Sequence, residues 1–563
     1  MNSVLRRIGW GSVIVGLGLT GLVGCQAGEV RTAAGSEGKS AAPLFRNLGH
    51  HHRAIGTHSK QAQRYFDQGL TLAYAFNHDE AIRSFTEAAR LDPTCAMAWW
   101  GIALCNGPHI NNPMMDAAHS NAAWAALNKA RELAATAQPV EQALIAALAA
   151  RYAETPPENR RSLDEAYAAA MRGVYQAYPD DSDVGTLFAE ALMDLRPWDL
   201  WSQSGEPRPE TNEVLAALEG VLRRDPNNPG ANHLYIHAVE ASPRPHRANA
   251  AADRLRDLVP GAGHLVHIPS HIDVRTGRWM QAAVQNEKAI VADTAYRRVS
   301  PRQGFYHVYM AHNHHFLAYA SMMEGRYAVA IKAAREMIAG VPPAFIETQG
   351  PLVDPYMAIV YDVQKRFGKW DDILKEPAPP AGLPITAAMW RFTRAIALAA
   401  QGEIAAAEKE RAEFKTAVAK VPAGAMMAIN PAQKVLAIAD KMLDGEIAYR
   451  RGDSDAAITL LRDAVQVEDS LRYMEPPEWI QPVRHTLGAF LLDAGRAAEA
   501  ERVYREDLAR WPENGWSLQG LAASLKAQGK TTEAEVAERK FRRAWARADT
   551  PIGTTCLCVK AKE

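Results

Sequence analysis

Small, aromatic and apolar residues return at fixed places every 34 residues along much of the chain, with polar residues between them. Residues 62–95, AQRYFDQGLTLAYAFNHDEAIRSFTEAARLDPTC, show the pattern most clearly, with conspicuous residues at Gly69, Ala81, Phe85, Ala88 and Pro93. Small residues let two helices approach each other, an aromatic ring fills the gap between them, and proline stops the second helix. The spacing therefore predicts a pair of antiparallel helices in each period.

The same spacing recurs in the middle and toward the end of the chain. In the middle, copies start at Pro229, Gly263 and Ala311. Later copies start at Gln481 and Gly515, and a less regular copy contains Gly445, Ala457 and Leu461. Three stretches have the composition of loops that interrupt the array: 106–116, 196–209 and 341–355.

This 34-residue pattern resembles the tetratricopeptide repeat. The resemblance implies an all-α solenoid of stacked antiparallel helix pairs, with the first helix of each pair on the concave side. We expect a signal peptide, a tether, four repeat regions of which the second is rich in histidine, and a tail. The predicted bounds are 1–25 (signal peptide), 26–47 (flexible tether), 48–228 (N-terminal repeat-like region), 229–345 (central histidine-rich repeats), 346–440 (helical repeat-like region), 441–549 (C-terminal repeats) and 550–563 (tail).

Four stretches together resemble a group of bacterial exported tetratricopeptide-repeat lipoproteins: FDQGLTLAYAFNHDEA, NHLYIHAVEASP, GHLVHIPSHIDVRTGRW and LGAFLLDAGRAAEAERVYREDL. This resemblance spans essentially the whole chain and again implies the solenoid. It supplies no catalytic residues. Because tetratricopeptide-repeat proteins mostly bind partners, a peptide, protein or small molecule in the concave groove is the expected ligand.

The first 25 residues are typical of an export signal. Arg6 and Arg7 precede an apolar run that closes with Leu-Val-Gly and Cys25. This ending resembles the bacterial lipoprotein signal, in which the cysteine is lipidated, and Gln26 after it favours the outer membrane. The alternatives are an ordinary secretory signal or a membrane helix, for which the run is short and glycine-rich. We expect a lipid-anchored protein on the periplasmic side of the envelope, with no other membrane contact.

Charge and cysteine content narrow the other expectations. The chain has 63 Lys and Arg against 64 Asp and Glu, so no excess of positive charge favours nucleic acid. Cys95 and Cys105 are predicted near opposite ends of one helix, about 15 Å apart, which is too far for a disulfide. Cys556 and Cys558 remain open as a disulfide, a metal-ligand pair or two free thiols.

Histidines are concentrated in the central repeats, where ten of the eighteen lie between His233 and His315. Several occupy equivalent places one period apart, and these places typically face the concave groove in the repeat family. Residues three, four and seven apart share a helical face. Imidazoles on neighbouring helices can therefore converge on one ion at about 2.1 Å. The predicted metal ligands are His233, His237, Glu240, His264, His267, His271, His312 and His315, with Asn232 and Asn313 orienting them.

Pro269 lies within this cluster at a place where the repeat family has a helix interior. It predicts a kink that aims His271 into the groove. The alternative is that a helix begins at Pro269, which would leave His264 and His267 in a loop.

Three functional hypotheses follow. The first is a ligand-binding solenoid that holds a divalent transition metal, for which zinc, copper, iron and nickel all suit imidazole. The second is a metal-dependent hydrolase or oxidoreductase at the same site, with Glu240 as general base. The third is a metal-free peptide scaffold, and ordinary histidine packing remains as a fourth interpretation. Two further segments, 190–201 and 473–484, carry acids and tryptophans that either line the groove or simply pack.

Overall fold

The computed structural model describes residues 42–301 and 303–559, so the predicted signal and Cys25 lie outside the described residues. Within them, nearly all regular structure is α-helical. The helices are α1 (Lys60–Tyr74), α2 (His78–Leu91), α3 (Ala96–Cys105), α4 (Ala117–Leu133), α5 (Pro139–Leu148), α6 (Arg161–Ala177), α7 (Ser182–Met193), α8 (Thr211–Arg224), α9 (Pro229–Glu240), α10 (Asn249–Leu255), α11 (Gly263–His267), α12 (Pro269–Arg275), α13 (Trp279–Val299), α14 (His307–Met323), α15 (Tyr327–Ala339), α16 (Pro343–Val353), α17 (Ile359–Arg366), α18 (Trp370–Lys375), α19 (Pro384–Ala400), α20 (Ile404–Val418), α21 (Ala432–Arg450), α22 (Ser454–Asp469), α23 (Val483–Asp493), α24 (Ala497–Arg510), α25 (Gly515–Ala527) and α26 (Thr531–Ala544).

The remaining regular elements are short. Strands β1 (Met426–Met427) and β2 (Asn430–Pro431) form a two-stranded antiparallel sheet in which Met427 pairs with Asn430. Single 3-10 turns occur at Ala134–Thr136, Ala149–Arg151, Pro245–Ala248, Gly304–Tyr306 and Asp354–Tyr356. No helix among the described residues is long and apolar enough to span a bilayer.

Successive helices pair as the 34-residue spacing predicts, and the chain is an all-α tetratricopeptide-repeat solenoid. The predicted small and aromatic residues do form the contacts between paired helices. A Cβ on Gly69 would lie 2.7 Å from the Phe85 ring, and one on Gly488 would lie 2.3 Å from the Tyr504 ring. Glycine at these places is therefore what allows the aromatic residue to fill the gap between two helices.

The central repeats follow the predicted periods, with one local change at Pro269. Helix α11 ends at His267, and α12 begins at Pro269. Ile268 between them keeps helical dihedral angles, φ −50° and ψ −37°. The helix beginning at Pro269 was the predicted alternative, but His264 and His267 lie in a short helix and not in a loop. Proline is well tolerated at the first position of a helix, because the backbone N–H that it lacks would have no intrahelical partner there.

Two expectations about irregular segments are wrong. Residues 26–41 of the predicted tether lie outside the described residues, but at its end Ala42 is buried, and the Ala42 carbonyl accepts a hydrogen bond from Tyr65 at 3.0 Å. The predicted loop at 341–355 contains α16, because Pro343 suits the first helical turn. A non-helical Gln349 kinks that helix before its internal proline. The predicted loops at 106–116 and 196–209 are confirmed as the connections after α3 and α7.

The cysteines are placed at two ends of the described chain. Cys95 precedes α3 and Cys105 ends it, and both thiols are buried and free, as their predicted separation requires. Cys556 and Cys558 are joined in a disulfide, which decides among the three alternatives for this pair.

The C-terminal repeats pack back onto the central ones. Trp279 Nε1 at the start of α13 donates to the Pro512 carbonyl at 2.8 Å, and Trp516 Nε1 donates to the Met322 carbonyl at 2.8 Å. Gln203 reaches the Ser470 carbonyl at 2.6 Å. These contacts join residues about 200 or more positions apart, so the later repeats pack against the part of the chain where a concave groove was predicted.

A buried carboxylate ties the N-terminal segment to the repeats that precede the histidines. Asp183 accepts hydrogen bonds from His51 at 3.0 Å and Tyr74 at 2.7 Å, and it pairs with Arg53 at 3.3 Å. Burial alone would raise the pKa of Asp183, but the hydrogen bond from His51 and the charges of His51 and Arg53 lower it well below its usual range. Asn228, the N-cap of α9, also contacts Asp183 at 3.3 Å.

We predict that Asp183→Ala destabilises the protein by about 3–5 kcal/mol, because it removes the buried acceptor of His51, Tyr74 and Asn228 and leaves Arg53 with Asp181 as its one carboxylate partner among the described residues. Thermal unfolding followed by circular dichroism should show a midpoint lower by several degrees than that of Asp180→Ala, an exposed control. Since the folded-state pKa is lowered, the difference is complete above about pH 5 and shrinks as the pH falls below about 4. Equal midpoints for both variants at pH 7 would contradict this role.

Candidate metal centre

The predicted histidines form one buried cluster on four helices. His233 and His237 lie on α9, His264 and His267 on α11, His271 on α12 and His312 on α14. All except His312 are buried, with exposures of 6% or less. Their ligand atoms form two triads, each with all members within 4.8 Å of one another: His233, His237 and His264 in the first, and His267, His271 and His312 in the second.

In the first triad, the Nδ1 atoms of His233 and His237 donate hydrogen bonds to protein acceptors, and the Nε2 atoms of these two rings have no partner in the described part of the chain. Nδ1 of His233 donates to the backbone carbonyl of Tyr74 at 2.7 Å. Nδ1 of His237 donates to Glu240 Oε1 at 3.0 Å. Because a carbonyl and a carboxylate only accept, each ring carries its hydrogen on Nδ1. The Nε2 atoms of both rings, and both ring nitrogens of His264, have no hydrogen-bond partner among the described residues.

In the second triad, hydrogen bonds to acceptors likewise place a hydrogen on Nδ1 of His267 and on Nδ1 of His271. Nδ1 of His271 donates to Glu240 Oε2 at 2.5 Å, and Nδ1 of His267 donates to Asn286 Oδ1 at 2.8 Å. The Asn286 amide cannot be reversed, because its Nδ2 donates to the Ala282 carbonyl at 2.8 Å. Asn286 Nδ2 also donates to Ser270 at 2.9 Å. In the neutral form of each ring, His267 and His271 therefore both present an Nε2 lone pair.

These two lone pairs face each other. Nε2 of His267 lies 2.9 Å from Nε2 of His271. Two imidazole nitrogens that each carry a lone pair repel at this distance unless a proton or a metal cation lies between them. An ion that both nitrogens coordinate would relieve the repulsion, and the three ligand atoms of the triad lie within 4.8 Å of one another.

The cluster favours neutral imidazole, which is the form that coordinates metals. Burial removes the rings from water, and neighbouring imidazoles add to the effect. Together they lower the pKa of four ligands well below the usual range: His233, His264, His267 and His312. Protonation of His267 is therefore disfavoured, so its Nε2 keeps a lone pair that is directed at His271.

Glu240 connects the two triads through its two oxygens. Burial alone would raise its pKa, but the charges and hydrogen bonds of His271 and His237 outweigh burial and lower the pKa to about 2. Glu240, His237 and His271 also form a third possible ligand group. Since each carboxylate oxygen already accepts from an imidazole, the hydrogen bonds assign Glu240 to orienting the ligands.

Glu475 is a site residue that the predicted ligand set does not include. It lies in the loop between α22 and α23, and its Oε2 is 3.5 Å from His271 Nδ1. Both its oxygens are buried without a hydrogen-bond partner among the described residues. Burial, with the nearby Glu240 charge, raises the pKa of Glu475 well above its usual range. In the sequence, Glu475 is only one acid in a loop of a distant repeat. This loop reaches the histidines because the later repeats pack onto the central repeats.

The cluster forms part of the wall of a cavity of about 420 Å³. Four of the triad residues line it, His237, His264, His271 and His312, together with His315, Glu475 and largely apolar side chains. Tyr309 packs over His264 with ring centroids 4.4 Å apart, and Phe316 packs against His267 at 5.0 Å. The ligand atoms thus face a largely apolar cavity of the size that small-molecule sites have.

Three predicted residues take other places. His315 lines the cavity but belongs to neither triad, and its ring packs against Tyr356 at 5.5 Å. Asn232 donates to the Pro226 and Asn228 carbonyls, and Asn313 donates to Asp293 at 2.7 Å. Neither asparagine forms a hydrogen bond to a triad histidine. The orienting groups are instead the Tyr74 carbonyl, Glu240 and Asn286.

Comparisons with known proteins give weak likenesses only. No protein-family model matches the chain, and no curated protein matches it. Among solved structures, the human IFIT1 dimer with m7Gppp-AAAA is 12% identical with a TM-score of 0.32, covering 87% of this chain and 92% of that one. The APC/C hetero-tetramer Cut9-Hcn1 is 15% identical with a TM-score of 0.30, covering 82% and 76%. Yeast Tom70 is 12% identical with a TM-score of 0.28, covering 86% and 90%.

We predict that Asn286→Ala destabilises the metal-free protein by about 1–3 kcal/mol, because it leaves the Nδ1 hydrogen of His267 buried without an acceptor. The measurement is the thermal midpoint after treatment with a chelator. Thr294→Ala, an exposed position on the same helix, is the control and should change the midpoint little. If Asn286→Ala melts like this control, the hydrogen-bond assignment for His267 is wrong.

Proposed function

We propose that this chain is a lipid-anchored, exported solenoid whose buried histidines hold two divalent transition-metal ions beside a small-molecule cavity. The observation that carries the metal is the 2.9 Å approach of the His267 and His271 Nε2 atoms, both directed by Nδ1 hydrogen bonds to present lone pairs. The first triad supports a second ion, because its Nε2 atoms have no protein partner.

Two features favour a small molecule over a peptide as the ligand. The histidines are buried and do not line an open groove, and the adjacent cavity holds about 420 Å³. An extended peptide needs a continuous exposed surface, whereas a cavity of this volume matches a compact organic molecule.

The envelope location rests on the sequence. The residues before Gln26 are typical of an export signal that ends at a lipidated cysteine, Cys25. The lipoprotein group that the chain resembles has the same arrangement. We propose that the solenoid is held on the periplasmic side of the outer membrane by this lipid alone, with no nucleic-acid partner.

A second candidate function is a metal-dependent enzyme, either a hydrolase or an oxidoreductase. Its support is that each triad supplies three ligands, which leaves a coordination position open, and that the ligands line a cavity. A bound ion of this kind would supply Lewis acidity. Glu240, the predicted general base, has both oxygens occupied by imidazoles. Glu475 lines the same cavity, and because its pKa is raised well above the usual range, it is a carboxyl group placed to act as a general acid.

The metal proposal predicts two bound ions in the chain from Gln26 onward, expressed without a histidine tag. After loading with Zn²⁺ or Co²⁺ and removal of excess metal, elemental analysis should give about two ions per chain. His264→Ala and His312→Ala should each lose one ion, since each removes a ligand from a different triad.

The control for this measurement is His246→Ala, an exposed histidine in the same repeats, which should retain both ions. Circular dichroism should show equal helix content in all variants. Absence of stoichiometric metal from the parent chain would contradict the proposal and leave a metal-free scaffold as the account of this cluster.

A separate prediction concerns the carboxylate between the triads. Glu240→Gln should lower metal affinity about 10–100-fold, as loss of an orienting carboxylate does elsewhere. The glutamine amide would donate to one imidazole Nδ1 and so place that ring's hydrogen on Nε2, where the metal must bind. Competition with a chelator measures the affinity, and Glu154→Gln, at an exposed loop position, is the control. An affinity equal to the parent's would rule out the orienting role.

A further inference from the structure

A second cavity, of about 550 Å³, lies on the other side of His237 and Trp198 from the metal centre. Both side chains, with Ile110, line the two cavities. The second cavity has a different character, because five arginines line it against three carboxylates: Arg196, Arg208, Arg275, Arg472 and Arg510, with Asp199, Glu240 and Asp469.

Four of these arginines already have carboxylate partners. Arg196 pairs with Glu210 at 3.1 Å and Arg208 with Asp199 at 3.4 Å. The other two pairs are Arg472 with Asp199 at 4.0 Å and Arg510 with Asp469 at 3.2 Å. Their charges are largely neutralised by the protein itself.

Arg275 differs from the other four. It ends α12, the helix that carries His271, and no carboxylate among the described residues lies within 4.0 Å of its guanidinium. Its Nε is buried without a partner, and one terminal nitrogen reaches only the Ser242 carbonyl, at 3.5 Å. The Tyr473 ring covers one face of the guanidinium, 5.0 Å from its centroid. A planar fork with free donors in a cavity is the group that binds carboxylate or phosphate in a bidentate manner.

The wall between the cavities suits an aromatic or apolar body. Trp198 has a left-handed backbone, with φ of 59°, which is costly for a bulky side chain. Its indole is held by a 3.1 Å hydrogen bond to Asn111 and lies edge-on to His237, with ring centroids 5.2 Å apart. This strained residue therefore places an apolar surface between Arg275 and the histidine cluster.

We propose that Arg275 binds the anionic group of a small organic ligand, a carboxylate or a phosphate monoester, whose apolar body lies along Trp198 toward the histidines. This goes beyond the proposed metal site and stands on different residues. The arginine-lined cavity then recognises the anionic group of the ligand, and the histidine-lined cavity holds the rest of the ligand.

The test is calorimetric titration of the chain from Gln26 onward with three probes of equal bulk: phenylacetate, phenyl phosphate and neutral phenylacetamide. We expect at least one anion to bind at least ten-fold more tightly than the amide, and the tighter anion identifies the natural group. Binding of the amide as tightly as both anions, or of none of the three, would overturn the proposal. This comparison needs no variant.

Variants locate the binding on one residue. Arg275→Met should weaken anion binding at least ten-fold, and Arg275→Lys should recover part of the loss because it restores the charge. Arg208→Met is the matched control, since Arg208 lies in the same wall but already pairs with Asp199. Equal losses for Arg275→Met and Arg208→Met would show a general charge effect and contradict the assignment.

A chelator-treated sample separates this inference from the metal proposal. Anion affinity should be the same before and after metal removal, because Arg275 is the binding group. Binding that disappears with the metal would place the anion on the ion and overturn the role of Arg275, while leaving the metal site intact.

Discussion

The centre is organised around two imidazole nitrogens, Nε2 of His267 and Nε2 of His271, which lie 2.9 Å apart. In each neutral ring, the hydrogen bond that Nδ1 donates leaves the lone pair on Nε2. The arrangement depends on acceptors from outside the helices that carry the rings. Asn286 on α13 holds His267, and Glu240 on α9 holds His271. Repulsion between lone pairs in a buried site is costly, and one coordinated cation removes it. The hydrogen bonds from Nδ1 therefore have two effects. They bring two lone pairs together in the metal-free cluster, which costs free energy, and they orient both Nε2 atoms to coordinate an ion.

Closure of the solenoid gives this cluster its environment. The later repeats pack onto the central ones through Trp279 and Trp516, and they bring Glu475 and Tyr473 to the two cavities. An open tetratricopeptide groove would leave the imidazoles in water, where their pKa values would stay near normal. Burial lowers the pKa of His233, His264, His267 and His312 and so favours their neutral form. It also separates two spaces of different character, one lined by histidines and apolar groups and the other by arginines.

Much of the fold was predictable because the repeat spacing is a local property. Gly69 with Phe85 and Gly488 with Tyr504 report helix pairs within a single period, and equivalent places in adjacent repeats brought the histidines onto one side. Contacts between distant repeats were not predictable in this way. No periodic signal marks Glu475 as a neighbour of the histidines, since the loop before α23 reaches them only after the chain closes. Asn232 was chosen for its position beside His233, but the hydrogen bonds it makes to its own helix turn its amide away.

X-ray absorption at the metal edge, on protein loaded with two equivalents of Zn²⁺, tests the central claim most directly. The account predicts a first shell dominated by imidazole nitrogen at about 2.0–2.1 Å, with about three imidazoles per ion and outer-shell scattering from their rings. Substitution of His267 and His271 should halve the bound metal and leave a three-imidazole spectrum for the remaining ion. A first shell of oxygen alone, or a metal content that these substitutions leave unchanged, would contradict the account.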